Sequence, residues 1–172
     1  MLDRPCVQLL PFDAHRDLPT LHIWLRRPHV ARWWGDPTEA LAAARDQPPT
    51  QQALIAVDGR AVGYLCWQNP PSEELAVAGL KALPLDLIDV DILIGEPDFI
   101  GRGIGPQALR LLLNRLRAEG ASSVGLAASV DNQRALRAYT KAGFRLFQTF
   151  EEAGQDMCYL VHEFDEENIL NR

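Results

Sequence analysis

Cysteine, long apolar runs and positive charge are scarce in this sequence, and each scarcity excludes something. The 172 residues include three cysteines, Cys6, Cys66 and Cys158. An odd number cannot pair fully within the chain, and none stands at CxxC spacing, so neither a disulfide framework nor a zinc ribbon fits. His15, His22, His29 and His162 show no ligand spacing, and no metal is expected. No apolar stretch approaches the roughly 20 residues that cross a bilayer. The opening MLDRPCVQLLPFD lacks the basic and apolar regions of a secretory signal. Together these place the expected location in the cytoplasm, with no membrane partner. Lys and Arg number 17 against 23 Asp and Glu, a formal charge of −6, which argues against a nucleic-acid partner. Internal repeats and low-complexity segments are absent too.

What is present is an ordinary globular composition, 47% hydrophobic and 23% charged, long enough to bury a core as one domain over residues 1–172. Cys6 to Leu10 is strand-like. Asp13 caps a helix through Leu25, and Asp36-Pro37-Thr38-Glu39 starts another that runs to about Asp46. Ala53–Val57 and Ala61–Gln68 form a hairpin around Asp58-Gly59, which suits a type I′ turn. Pro70 to Pro84 is a long proline-broken loop, with a short helix start at Ser72. After a strand from Leu87 to Ile94 comes a glycine-rich connection. A helix from about Pro106 to Glu119 follows, then a strand at Val124–Ala128 and a helix at Asn132–Ala142. Phe144–Phe150 and Met157–His162 pair as the last hairpin. This order is a mixed α/β sheet.

Two motifs carry chemistry. Gly101-Arg102-Gly103-Ile104-Gly105-Pro106 lies between a strand and a helix start, where glycines let N–H groups converge on an anion and the helix adds positive partial charge. It is neither a Walker loop nor a Rossmann fingerprint, and a tight packing turn is the alternative. In the second motif Asn132 caps a helix, Ala135 and Tyr139 share a face, and Gly143 ends it. Joined by one strand, the pair GRGIG and N-x-x-A-x-x-x-Y-x-K-x-G-F resembles the acyl-CoA site of the GNAT N-acetyltransferase superfamily. The resemblance implies a mostly antiparallel twisted sheet flanked by helices, with a splayed central strand pair forming the acyl-CoA cleft. It implies acetyl-CoA as the cofactor, its pyrophosphate on Gly101–Pro106 and its pantetheine on Leu93, Ile94 and Gly95. By the same resemblance Asn132 and Ala135 fall in the cofactor site, and Tyr139 is the general acid. Ile100 departs from the Gln or Arg usual in the family.

A narrower likeness comes from His29-Val30-Ala31-Arg32-Trp33-Trp34-Gly35 and from Asp91, which stands ten residues before Gly101. These resemble aminoglycoside 6′-N-acetyltransferases, while siderophore-pathway lysine N-acyltransferases carry a related histidine-and-WW pattern. Trp33 and Trp34 are pocket walls or packing at a helix end. Asp89 and Asp91 are two apart on a strand and share a face, whereas Val90, Ile92 and Ile94 line the opposite, core-like face. An amine reacts only after losing its ammonium proton, and a carboxylate both binds the cation and takes that proton. By its match to the position in that family Asp91 is the expected base and Asp89 a helper in binding, with a merely exposed strand face as the alternative. The resemblance implies an acid five residues before Asn132, where this sequence has Ala127; Glu73, Glu74, Glu151, Glu152 and Asp156 are candidates to compensate. Cys66 is a small buried residue rather than a nucleophile.

The charge is segregated along the chain. Seven acids and one lysine lie between Glu73 and Asp98, and eight basic residues against two acids between Phe99 and Arg145. Seven acids without Lys or Arg lie between Glu151 and Glu167. An anionic cofactor at the basic stretch and a polycationic small-molecule amine at the acidic ones fit this distribution. A protein amine acceptor or a non-catalytic CoA-binding module are the alternatives. Ile169 and Leu170 pack either within the chain or against a second copy, leaving monomer and homodimer open.

Overall fold

The computed structural model describes residues 5–165, so Ile169 and Leu170 lie outside the described residues. Its elements run β1 (Val7–Pro11), α1 (Ala14–Arg26), α2 (Pro28–Trp34), α3 (Pro37–Asp46), β2 (Gln52–Val57), β3 (Arg60–Gln68), α4 (Ser72–Val77), β4 (Ile88–Ile94), α5 (Ile104–Ala118), β5 (Ser123–Ser129), α6 (Gln133–Lys141), β6 (Arg145–Glu152) and β7 (Gln155–Glu163). Capping chemistry starts the helices. The Asp13 carboxylate accepts the Arg16 N–H at 2.9 Å, Asp36 accepts those of Thr38 and Glu39 at 2.8 and 3.0 Å, and Asn132 accepts that of Ala135 at 3.2 Å. Asp58 and Gly59 both have positive φ, 50° and 82°, as the expected type I′ turn requires.

The sheet has seven strands in the order β1-β2-β3-β4-β5-β7-β6. The pairs β1–β2, β2–β3, β5–β7 and β6–β7 are antiparallel, and β4–β5 is parallel. That parallel ladder comprises only Ile88↔Val124 and Asp89↔Gly125. The mixed, mostly antiparallel sheet flanked by helices is therefore the architecture observed, and its central ladder is short.

The chain divides into two compact units, with β4 and α5 each contributing to both. The first unit holds everything up to Trp67 together with Asp91–Leu111. Its core gathers Leu21, Trp24 and Leu25 of α1, Val30 of α2, Ala44 of α3, Leu54, Tyr64 and Leu93. Phe12 meets the Tyr64 ring edge-on at 5.3 Å between centroids, and Trp34 does so at 6.3 Å. Of the described residues, the second unit holds Gln68–Val90 and 112–165. There the long loop is anchored by Leu80, Leu83 and Leu87, which are buried with Tyr159 and Val161.

Three expectations change. The Trp33-Trp34 pair ends a separate seven-residue helix, α2, started by Pro28 and terminated at Gly35. Helix α5 begins at Ile104 rather than Pro106, because Gly103, at φ +74°, already turns the chain and its carbonyl accepts the Gln107 N–H. Pro106 sits in the first turn, where N–H groups have no intrahelical partner, so it costs the helix nothing. On β4, Val90 and Leu93 are buried while Ile92 and Ile94 are only half-buried. Helices α1–α3 cover the strand from Leu93 on, so the polarity of Asp91 does not set the environment of the residue two places further.

Candidate active site

In the first unit the end of β4 is gripped by side chains. Gly95 is buried, and a Cβ there would stand inside the Trp24 indole. Trp24 Nε1 donates to Glu96 Oε1 at 2.9 Å; Arg27 Nη1 donates to Glu96 Oε2 at 2.9 Å and to the Gly95 carbonyl at 2.8 Å. These two donors, Trp24 foremost, hold the Glu96 carboxyl below its ordinary range, with Arg60 adding a weaker attraction. His29 Nε2 lies 2.9 Å from the Ile94 carbonyl. A carbonyl only accepts, so that ring nitrogen carries the proton. Trp34 Nε1 donates to the Ile92 carbonyl at 3.3 Å.

Asp91 is exposed on this strand. Its charge reaches Tyr64, whose phenol is pushed far above its ordinary range by burial first, then by Cys66 and by Asp91. Tyr64 thus stays protonated, and its hydroxyl donates a hydrogen bond to Gln52 Oε1 at 2.8 Å. Asp91 is thus an exposed anionic group of this strand, while Tyr64 belongs to the core. Trp33 is half-buried under the Arg32 guanidinium, 4.5 Å from its ring.

Beyond β4, Gly101, Arg102 and Gly103 are exposed, Ile104 and Pro106 buried, and Gly105 half-buried. Gly101 and Gly103 both take φ +74°, and nothing lies within 4 Å of where a Cβ would stand at 101, 103 or 105. The turn therefore presents bare backbone at the start of a 15-residue helix, the arrangement that receives a phosphate. Arg102 lies over Phe99 at 5.5 Å, and Arg60 over the same ring at 5.4 Å.

In the second unit the Tyr159 hydroxyl donates to Asp89 Oδ1 at 2.7 Å, its ring crossing β5 where only a glycine, Gly125, leaves room. Asp89 is half-buried and engaged from within the fold. On α6, Tyr139 is buried, while Asn132 and Ala135 are half-buried. Glu73 and Glu74 of α4 and Glu151, Glu152 and Asp156 of the last hairpin are all exposed, and Glu151 stands directly opposite Asp156. No group of three or more potential metal ligands occurs among the described residues. No helix among them is long and apolar enough to cross a membrane.

Sequence reasoning missed Trp24, Arg27, Tyr64 and Glu96. Only Glu96, beside the glycine-rich connection, carried a local signal.

A profile of the acetyltransferase (GNAT) domain matches residues 13–151. Aminoglycoside N(6′)-acetyltransferase type 1 of Klebsiella pneumoniae is 26% identical over 165 residues, covering 86% of this chain and 79% of its own. Mycothiol acetyltransferase of Corynebacterium glutamicum is 29% identical over 136 residues, covering 73% of this chain and 41% of its own. Among solved structures, AAC(6′)-Ib in complex with paromomycin and acetyl-CoA superposes with a TM-score of 0.77 at 23% identity, covering 91% of this chain and 93% of that one.

Proposed function

Because the chain belongs to the GNAT acetyltransferase family, we propose that it transfers the acetyl group of acetyl-CoA to an amino group of an aminoglycoside, the 6′-amine. One observation carries the acceptor class: Asp91 is an exposed carboxylate near the end of β4, the strand that leads into the open glycine turn. An exposed negative group favours a protonated amine. The likeness to the Klebsiella enzyme supports the same acceptor.

Acetyl-CoA supplies an acyl group activated as a thioester. The open backbone of Gly101, Gly103 and Gly105 fits its phosphates, with Arg102 adding charge and the Ile104 and Pro106 side chains buried behind. Leu93, Ile94 and Gly95 offer strand backbone to the pantetheine arm, and Asn132 and Ala135 of α6 complete the cofactor set. Asp91 accepts the proton that the acceptor ammonium must lose before its nitrogen bonds to the acyl carbon. Tyr139 donates the proton that the sulfur needs once the carbon–sulfur bond breaks. No residue is acylated on the way, and Cys66 serves packing. Asp89 is a supporting acid, fixed by Tyr159, and Trp33 walls the acceptor. Glu73, Glu74, Glu151, Glu152 and Asp156 draw the polycation in.

A steady-state thiol-release assay with acetyl-CoA and kanamycin or tobramycin tests this. Acceptor-dependent release is expected, with the product acetylated at the 6′-nitrogen by NMR. Silence with every aminoglycoside overturns the acceptor. Release with a lysine-type or peptide amine instead assigns the alternative acylation.

A further inference from the structure

The first unit shows how the end of β4 is oriented, and that orientation singles out one amide. The Gly95 N–H donates to the Val62 carbonyl at 2.8 Å, so the 94–95 peptide turns its N–H toward β3 and its carbonyl, Ile94 O, away. Successive peptide planes of a strand alternate. The 93–94 peptide accordingly turns its carbonyl toward β3, where Leu93 O packs against Gly63, and its N–H, that of Ile94, away. The Ile92 carbonyl also faces away. The edge opposite β3 therefore runs Ile92 C=O, Ile94 N–H, Ile94 C=O, beyond the point where the ladder to β5 ends.

Both of those carbonyls are engaged by the same short helix. Trp34 of α2 donates to Ile92 O at 3.3 Å, and His29 of α2 donates to Ile94 O at 2.9 Å. The 94–95 peptide is thereby held at both ends, by His29 at its oxygen and by Val62 at its N–H. One residue on, the Gly95 carbonyl is held by Arg27, and the Glu96 N–H donates to Val62 O at 3.1 Å. Two donors on flanking carbonyls do two things for the amide between them. They fix its direction, and they withdraw negative partial charge from either side of the place where an oxyanion would form.

We propose that His29 and Trp34 are positioning residues that fix the Ile94 N–H as the donor to the thioester oxygen. This rests on the acetyl-transfer reading above. Neither side chain touches the reacting atoms; each acts through a β4 carbonyl. The His29-to-Trp34 spacing of the HVARWWG segment then serves the strand backbone, with one ring for each of two alternate carbonyls.

The test combines kinetics with the Ile94 amide resonance. His29→Ala is expected to lower kcat by about 10- to 100-fold while the KM for acetyl-CoA stays within about 3-fold. His29→Gln, whose side-chain N–H also donates to a carbonyl, is expected to recover kcat to within about 5-fold of the wild type. Trp34→Phe keeps a ring beside Tyr64 and removes only the longer bond, so a kcat loss of about 3- to 10-fold is expected. In the wild type the Ile94 amide peak is expected to move further with acetyl-CoA than with CoA, and in His29→Ala that difference is expected to disappear. Unchanged kcat in both Trp34→Phe and His29→Ala overturns the inference, as does a His29→Gln enzyme no better than His29→Ala. Should His29→Ala not fold, Trp34→Phe and His29→Gln decide: wild-type kcat in the first, or a loss of 10-fold or more (about the His29→Ala expectation) in the second, overturns it. A wild-type chain showing neither an Ile94 amide shift nor thiol release with acetyl-CoA overturns the transfer reading and this inference together, and release without that shift overturns this inference alone. Binding and turnover with indifferent variants overturn this inference alone.

Discussion

Asp91 and Glu96 are carboxylates five residues apart with opposite employment. Glu96 is held by Trp24 and Arg27, whereas Asp91 is exposed. The Glu96 pKa is lowered in the folded chain, so its contribution to stability is fully present above the unfolded value of about 4.3 and is lost as pH falls through the folded one. Asp17 behaves alike: burial pulls its pKa upward, but Arg16 and the Asp13 N–H outweigh that and lower it. Urea midpoints should therefore fall on acidification below about pH 4.5, and Glu96→Gln should flatten that fall. For Asp91→Asn the expectation is the reverse pairing, unchanged melting and a kcat/KM lower by about 10²- to 10⁴-fold. Undiminished activity would remove it as the base. Tyr139→Phe should lower kcat most where the leaving thiol needs a proton, and a pH profile identical to the wild type would remove the acid. Both of those candidates come from motif position. Arg27 and Tyr64 were not, since each bonds to atoms far along the chain and follows no pattern in its own neighbourhood.

The glycine turn and α5 show how an element follows from few residues. Positive φ at 101 and 103 is accessible to glycine at little cost and to a β-branched side chain only under strain of about 1–2 kcal/mol. Gly103→Val should weaken acetyl-CoA at least about 10-fold in a titration, by strain and by filling the open space over the helix start. An unchanged Kd would refute the phosphate assignment. Most elements were legible because caps, prolines and apolar spacing act over a single turn. Helix α2 escaped because it is seven residues long and has no side-chain cap, leaving Pro28 as its sole start signal. The start of α5 was displaced because Gly103, not the proline, sets the first helical carbonyl.

At the scale of the molecule, charge is sorted by sequence rather than balanced. The basic run from Phe99 to Arg145 contains the glycine turn and α6, while Glu73–Asp98 includes Asp91. Steering of a polycation by such acidic segments is screened by salt. Raising ionic strength from about 0.05 to about 0.5 M should lower kcat/KM for the aminoglycoside severalfold and leave kcat nearly constant. A salt-independent kcat/KM would mean that the acids of α4 and the last hairpin do not take part.

By itself the sequence determined the order of the strands and of the helices other than α2, the capped helix starts, the Asp58-Gly59 turn, the glycine-rich connection and the family likeness. Each of these depends on residues within a few positions of one another, where backbone preference and side-chain spacing act directly. Only the tertiary structure decided what holds those pieces. His29 reaches a carbonyl 65 residues on, Arg27 another at 68, and Tyr159 a carboxylate 70 residues back. Such bonds join a side chain to whatever folding brings beside it, and a backbone carbonyl is the same in every residue, so nothing in the local sequence announces them.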